Sequence, residues 1–394
     1  MRTIIVGAGI AGLAAAQRLA DLGSHVTVVE RASGPRNQGY MIDFFGPGYE
    51  AAQRMGLLAR LRELGYHVER FSYVDEHGRI RASMDYQRFE KAASGAIVSI
   101  MRPDLERALR EAVDGRVDLR YSVTVEAIDN RPDGVSVTLS DGSALDADLL
   151  IGADGIHSAT RAATFGPEQA FLRFLGLHTA AFVFDDPVVH DQVQDGFFLT
   201  DSVDVQMGFY GLRDGRVAAF TVHRTSDPEL PADPRAAVLR TYQDLGWLTA
   251  RALGLCPSSA DVYYDQVAQI EMDQWVNRRV VLLGDSAYAV SLLAGQGASL
   301  AVAGAYVLGR QLATTPDIDR ALAEYVRRWH PVVTQRQLIG RRGASWFLPA
   351  STTQLRLRRL AVTAMRLPGL DRWLGTALVG KNHTPIDTIA LGTT

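Results

Sequence analysis

Cysteine is almost absent. Cys256 stands alone in 394 residues, so no intrachain disulfide and no thiolate zinc site can form, and the fold has to rest on its core. Lysine is nearly as scarce: Lys91 and Lys381 are the only two among 41 basic residues. Against 44 acidic residues the net charge is −3, so no bulk basic field points to nucleic acid or to an anionic membrane surface. Long apolar runs are missing too. The most apolar stretch, 291–312, is interrupted by Gly295, Gln296, Gly297, Ser299, Gly304 and Gly309, too mixed for a spanning helix of about 20 apolar residues. A glycine-rich turn begins at Gly7, where a secretory signal would place its apolar stretch, so the expected location is cytoplasmic. The histidines form no H-E-x-x-H, and no G-x-S-x-G exists for a hydrolase. Metal and acyl-transfer chemistry would have to be assembled from scattered residues.

What is present is a globular balance, 47% hydrophobic and 22% charged, in a length that suits two or three structural units. Residues 3–6 (Thr-Ile-Ile-Val) form a β-branched run expected to be a strand buried on both faces. Gly7, Gly9 and Gly12 follow in G-x-G-x-x-G spacing, with Ile10 and Ala11 between them as further cofactor-binding candidates, and a helix is expected over 13–22. Gly23 ends that helix, 25–29 reads as a second strand, and Glu30 stands at its end, 18 positions past Gly12. Gly7 permits the tight turn, Gly9 lets backbone approach a pyrophosphate, and Gly12 lets helix pack closely on strand. Free amides at the helix start favour a diphosphate, and Glu30 can accept from a ribose hydroxyl. Arg31 either reaches the adenosine or is simply solvated. These residues predict a dinucleotide site without choosing between FAD and NAD.

Two further constellations follow. Residues 149–151 read as a buried strand that runs into Gly152, Asp154 and Gly155, then the first turn of a helix from His157 to Arg161. Residues 280–283 read as another buried strand, running into Gly284 and Asp285, then a loop with Gly295 and Gly297, then a helix over 300–312. With these three motifs in order, the whole chain resembles the single-component (class A) FAD-dependent aromatic hydroxylases of the para-hydroxybenzoate hydroxylase fold. Residues 39–57 are most similar to the tetracycline-inactivating and polyketide-tailoring branch.

The resemblance implies an α/β fold: a Rossmann-type FAD-binding domain (1–70, 96–170 and 277–345) interleaved with an antiparallel-sheet substrate domain (71–95 and 171–276), and a C-terminal helical cap (346–394). It implies that Asp285 sits near the ribityl chain of FAD, that Gly295, Gly297 and Ala298 present backbone to the isoalloxazine, and that Arg102 lies beside the ribityl and phosphate. Asp154 would serve both FAD and the path of the reductant; for Asp154 and Asp285 alike, helix capping is the alternative role. NADPH or NADH would bind transiently, as expected of a chain with no second G-x-G-x-x-G. The implied reaction is hydroxylation of an aromatic, enolic or polyketide-like small molecule with O₂, through a flavin C4a-hydroperoxide, by a monomer or weak homodimer. An FAD-dependent reductase or dehydrogenase on the same fold stays open, as does a non-catalytic flavin-fold protein that sequesters an intermediate. The sequence departs from the family at Tyr288 (often histidine), at Ser291 and Leu292 (usually proline), at Ala294 (commonly glycine) and at Ser299 (frequently asparagine). These departures bear on the loop over the flavin's reactive face.

Strands are expected over 175–185, 196–200, 203–212 and 216–224, with a hairpin at Asp214 and Gly215, and a second hairpin over 71–74 and 79–84 joining the same sheet. Phe182, Gln206, Tyr210, Phe220 and His223 are candidates to line a substrate pocket, core packing being the alternative. Helices are expected over 236–245, 318–328 and 332–342, and Arg356, Arg358 and Arg359 read as a solvated helix face. Gly375, Gly380 and Lys381 match P-loop spacing, but Asn382 replaces the Ser/Thr and Pro385 interrupts the helix that should follow.

Overall fold

The computed structural model describes residues 1–35, 39–92, 95–291, 295–364 and 385–391. A six-stranded sheet runs in the order Val276–Asn277, Val280–Leu282, Leu149–Gly152, Arg2–Val6, His25–Val29, Asp118–Arg120, parallel apart from the first pair. Its strands are continuous apolar runs because both faces are covered. Ile5, Val28, Ile151 and Val281 feed one core with the helices Ile10–Asp21 and Gly297–Thr314. Ile4, Val29, Leu150 and Val280 feed another beneath the small antiparallel sheet of Val125–Asn130, Val135–Leu139 and Ala144–Ala147. Strand Arg2–Val6 has the next strand in sequence, His25–Val29, on one side and the distant Leu149–Gly152 on the other, so the order reverses at it. The crevice beyond its carboxyl end is where an open α/β sheet takes a ligand.

A seven-stranded sheet forms the second layer, in the order Tyr263–Ile270, Leu172–Phe184, Val217–Arg224, Val205–Gly211, Gly196–Ser202, Arg70–Val74, Ile80–Asp85. The two expected hairpins join it, and the strand bounds lie within a few residues of the expected ones. Alternate residues again serve two faces. Ala180, Phe182, Phe184, Met207 and Phe209 pack against the helices Pro234–Tyr242 and Thr249–Gly254. Leu177, Ala181, Tyr210, Phe220 and Val267 face the other way, toward Tyr40 and Met41 at the start of a separate two-stranded sheet, Met41–Phe45 with Ile97–Met101. The helix expected over 236–245 starts earlier because Asp233 caps it, accepting from the Ala236 amide at 3.0 Å, with Pro234 as its first residue.

Two expectations fail in the last third. One helix, Ile318–Phe347, replaces the expected pair and carries Pro331 inside it. Proline there forfeits one backbone hydrogen bond. Leu322, Tyr325, Trp329 and Val333 nevertheless keep one buried stripe running straight through it. The arginine run is not a solvated face. Of the three arginines on helix Thr352–Ala364 only Arg356 is exposed; Arg358 is buried, pairs with the fully buried carboxylate of Asp201, lies 4.4 Å over the Tyr73 ring and donates to the Phe347 carbonyl at 2.6 Å. Arg359 pairs with the same carboxylate. Gly375, Gly380, Lys381, Asn382, Leu292 and Ala294 lie outside the described residues.

Removing one partner of a buried pair strands the other charge. Asp201→Ala should therefore cost about 3–5 kcal/mol in urea unfolding, whereas Asp201→Leu combined with Arg358→Met should recover most of that loss. Equal losses in the single and double variants would refute this account of the anchor.

Candidate functional site

The three glycine motifs meet at the carboxyl end of strand Arg2–Val6. Gly7 has φ +104, and a methyl group there would lie 2.5 Å from the Ala153 carbonyl oxygen, just before Asp154. A methyl on Gly12 would lie 1.9 Å from the Gly7 carbonyl oxygen, and one on Gly284 would lie 2.6 Å from the Ala11 side chain. These contacts leave no room for Cβ, so Gly7 and Gly12 touch backbone directly and Gly284 packs on the Ala11 methyl group. Gly9 differs: nothing lies within 4 Å of the position its Cβ would take. The space there is open, in front of the amides that begin helix Ile10–Asp21. That helix has no side-chain cap and no acidic residue in its first turn, and neither has helix Gly297–Thr314. Both therefore present uncompensated positive ends, suited to an anion or to electron-rich carbonyl groups.

Glu30 holds its place by accepting from the amides of Ala8 and Ala32, each at 2.8 Å, which leaves lone pairs for a further donor. Arg31 is exposed. Asp154 accepts from the Thr160 amide at 2.9 Å, from the Thr160 hydroxyl at 3.0 Å and from the Ser158 hydroxyl; Ser158 in turn caps helix Ala159–Thr164. Its carboxylate thus does the capping work, and it also accepts from Ser286 at 3.1 Å. Ser286 ties the second motif to the third, because its hydroxyl also accepts from the Gly155 amide at 3.0 Å.

Asp285 is different again. It opens the short helix Asp285–Tyr288 and reaches the cleft, where the dense protein around it raises its carboxyl pKa; Arg102 opposes that rise and Asp265 adds to it. Arg102 begins helix Arg102–Val113, donates its amide to the Tyr40 carbonyl at 3.1 Å and pairs with Glu106 at 3.0 Å. The Tyr40 ring lies 5.4 Å from Phe220 and 5.7 Å from Tyr263, and burial pushes its hydroxyl up to about 12. Gly295 faces open space and Ala298 is half-buried beside it. Between them Gln296 is buried with its side-chain oxygen unpartnered, an acceptor with no protein donor.

The chain matches the family model described as FAD binding domain over residues 1–337. It is 34% identical to an uncharacterized protein of Mycobacterium tuberculosis over 86% of this chain and 92% of that one. It is 30% identical to a flavin-dependent monooxygenase from an unknown prokaryotic organism, over 86% of this chain and 88% of the relative. Among solved structures, the tetracycline destructase Tet(55) superposes with a TM-score of 0.78 at 28% identity, covering 92% of this chain and 96% of its own. The Klebsiella pneumoniae HpxO, crystallised with FAD and uric acid, superposes with a TM-score of 0.79 at 22% identity, covering 96% of this chain and 97% of its own, a likeness of fold.

The chain belongs to the class A FAD-dependent aromatic hydroxylase family. FAD is the cofactor for which it carries a binding domain. The residues present fit that group: an open space over Gly9, two uncapped helix starts and an unsatisfied acceptor at Gln296, all on one crevice.

The substrate-side candidates divide by strand parity. Tyr210, Phe220 and Gln206 lie on one face of the sheet; Phe220 stands against Tyr40, while the other two are taken up by protein partners. Tyr210 is buried, stacks on Phe197 at 5.2 Å and accepts from the Met41 amide at 2.6 Å. Gln206 is buried beside Arg358, 3.4 Å away. Phe182 and His223 occupy the opposite face and do not meet the cleft. Phe182 is core against the helices; His223 contacts the Tyr242 hydroxyl at 2.8 Å, and burial, with His178 adding to it, lowers its pKa to about 4. The residues missed, Tyr40, Tyr263, Asp265 and Ser286, sit at strand and motif edges. Only Ser286 carried a signal, as the neighbour of Asp285.

Helix-on-strand packing and ligand room are separable here. Gly9→Ala meets no protein atom, so the flavin-free chain should keep its melting temperature while FAD affinity falls at least about tenfold, equivalent to 1.4 kcal/mol. Gly12→Ala overlaps the Gly7 carbonyl and should destabilise the flavin-free chain by about 1–3 kcal/mol. Equal melting temperatures for the two variants would sink the distinction.

Proposed function

We propose that this chain is a monooxygenase that uses NADPH or NADH and O₂ to hydroxylate an electron-rich aromatic or enolic small molecule. The observation that carries this reading is the wall opposite the glycine cradle. Tyr40, Phe220 and Tyr263 form a ring cluster on the sheet face turned toward Asp285 and Arg102. Such a wall offers flat apolar area and phenolic hydroxyls to a planar ring system. The relatives that inactivate tetracycline support a polycyclic, enol-bearing substrate.

FAD, when bound, supplies the electron transfer and oxygen activation. The amides of Ile10, Ala11 and Gly12 would hold its diphosphate, with Gly9 leaving the approach clear. Glu30 would take a ribose hydroxyl. Asp285 and Arg102 would flank the ribityl chain, and backbone at Gly295, Gly297 and Ala298 would meet the flavin's polar edge. Asp154 acts through the protein: its carboxylate is committed to Ser158, Thr160 and Ser286, so it fixes the turn between the second and third motifs. The aromatic wall orients the substrate and keeps water from the reacting carbon.

Asp285→Ala removes a charged acceptor from the site and should lower FAD affinity by about 10–100-fold, equivalent to about 1.4–2.8 kcal/mol. Visible spectra of the purified wild-type chain test the larger reading. Oxidised flavin bands should bleach under anaerobic NADPH or NADH, and readmitted air with an aromatic polyketide panel should give products heavier by one oxygen atom. Bleaching without oxygen insertion across the panel would favour a reductase; bands that never bleach, with or without panel compounds, would overturn the proposal.

A further inference from the structure

His157 follows the Asp-Gly turn and contacts two carboxylates at once. Its Nδ1 lies 3.1 Å from Glu168 and its Nε2 lies 3.4 Å from Asp265. Ionised carboxylates only accept hydrogen bonds, so both ring nitrogens must donate, which only the imidazolium can do. The three residues come from three parts of the chain. His157 belongs to the loop behind Asp154, Glu168 to the turn Glu168–Ala170, and Asp265 to Tyr263–Ile270, the edge strand of the large sheet. Glu168 also receives the fully buried Arg161 at 3.1 Å, and Arg161 donates to the Ser286 carbonyl at 3.0 Å. A continuous polar chain therefore joins Asp265 through His157, Glu168 and Arg161 to the residue next to Asp285. Two positions before Asp265 on the same face stands Tyr263, part of the aromatic wall.

We infer that His157, as a cation bridging Asp265 and Glu168, is a positioning residue that clasps the edge strand of the large sheet to the Asp-Gly turn and so fixes Tyr263 and Asp265 on the cleft wall. The inference needs the cleft to be the FAD site and does not depend on which substrate is hydroxylated. The charged groups facing His157 are Asp265 from the strand and Glu168 from the turn, with Arg161 behind Glu168 and Asp154 in its own loop. Asp285 and Arg102 stand beyond Asp265. The two facing carboxylates, Asp265 foremost, outweigh partial burial and raise the imidazole pKa from 6.5 to about 9. With the folded value above the unfolded one, the clasp stabilises fully below about pH 6.5 and is lost as pH rises through about 9.

The test uses the full chain, FAD-loaded and flavin-stripped, with melting temperature and FAD dissociation constant followed from about pH 6 to 10, the span that brackets both imidazole values. His157 is half-exposed, so the effect is modest. The wild type should lose melting temperature and weaken FAD binding by about two- to fivefold across the alkaline range, the scale of a partly exposed pair. His157→Gln, which cannot carry the charge, should already sit at the weakened value near neutral pH and show a flatter profile. His157→Lys should move the fall upward, since lysine titrates near 10.4. Asp265→Asn should add nothing further in the His157→Gln background, because both break the same link. If His157→Gln keeps the wild-type alkaline slope, or if its effect and that of Asp265→Asn simply add, the clasp is refuted. Loss of hydroxylation with these profiles intact would count against the proposed reaction and not against the clasp.

Discussion

The structure depends on three glycine motifs that approach too closely for a side chain on the glycine itself. Gly7 against Ala153, Gly12 against Gly7, and Gly284 against Ala11 are approaches that a single methyl group would block. Each turn ends a strand of one parallel sheet, so the contacts lock the sheet's carboxyl edge into one surface. The polar links follow from that closeness. Ser286 can reach both Asp154 and the Gly155 amide only because the motifs already abut. Motifs separated by about 130 residues in sequence therefore act as a single site.

Strand parity then decides what faces that site. Moving one residue along a strand turns a side chain to the other face, and the large sheet has cores on both. Phe220 looks toward Tyr40, while Phe182, on the adjacent strand, packs against helices. Aromatic content said nothing about which face was which. Only the pairing of Ala181 with Phe220 and of His178 with His223 assigns the faces.

The parts legible in the sequence were those whose function is written locally. The fingerprint Gly7–Glu30, the buried strands before Asp154 and Asp285, and the hairpin at Asp214 and Gly215 all rest on short-range geometry and appear with their bounds nearly as expected. What was illegible depends on distant partners. Arg358 reads as a surface residue until Asp201, on a strand 157 positions earlier, takes its charge. The gap expected between 318–328 and 332–342 closes because the buried stripe on both sides of Pro331 outweighs one lost hydrogen bond. Tyr40 and Tyr263 carry no motif, and they become a wall only because two sheets meet there.

The departures from the family pattern illustrate how such distant partners absorb local change. Tyr288 stands where a histidine is frequent, three residues after Asp285, yet it is buried away from the cleft, its ring 4.8 Å from Trp275 and its hydroxyl 3.4 Å from Tyr325. Its hydroxyl occupies the space where a side chain at position 304 would begin: a methyl on Gly304 would lie 2.1 Å from it. The larger ring and the glycine are thus one packing solution, and the short helix that carries Asp285 is anchored from behind by core. Ser299, in a position where asparagine is frequent, makes a comparable repair. Its hydroxyl accepts from the Gly48 amide at 3.0 Å and donates to the Phe45 carbonyl, pinning helix Pro47–Arg54 to helix Gly297–Thr314. A methyl on Gly48 would lie 2.4 Å from Ser299, so that approach too is set by glycine. Both changes hold the cradle from behind, one by ring packing and the other by hydrogen bonds between helices.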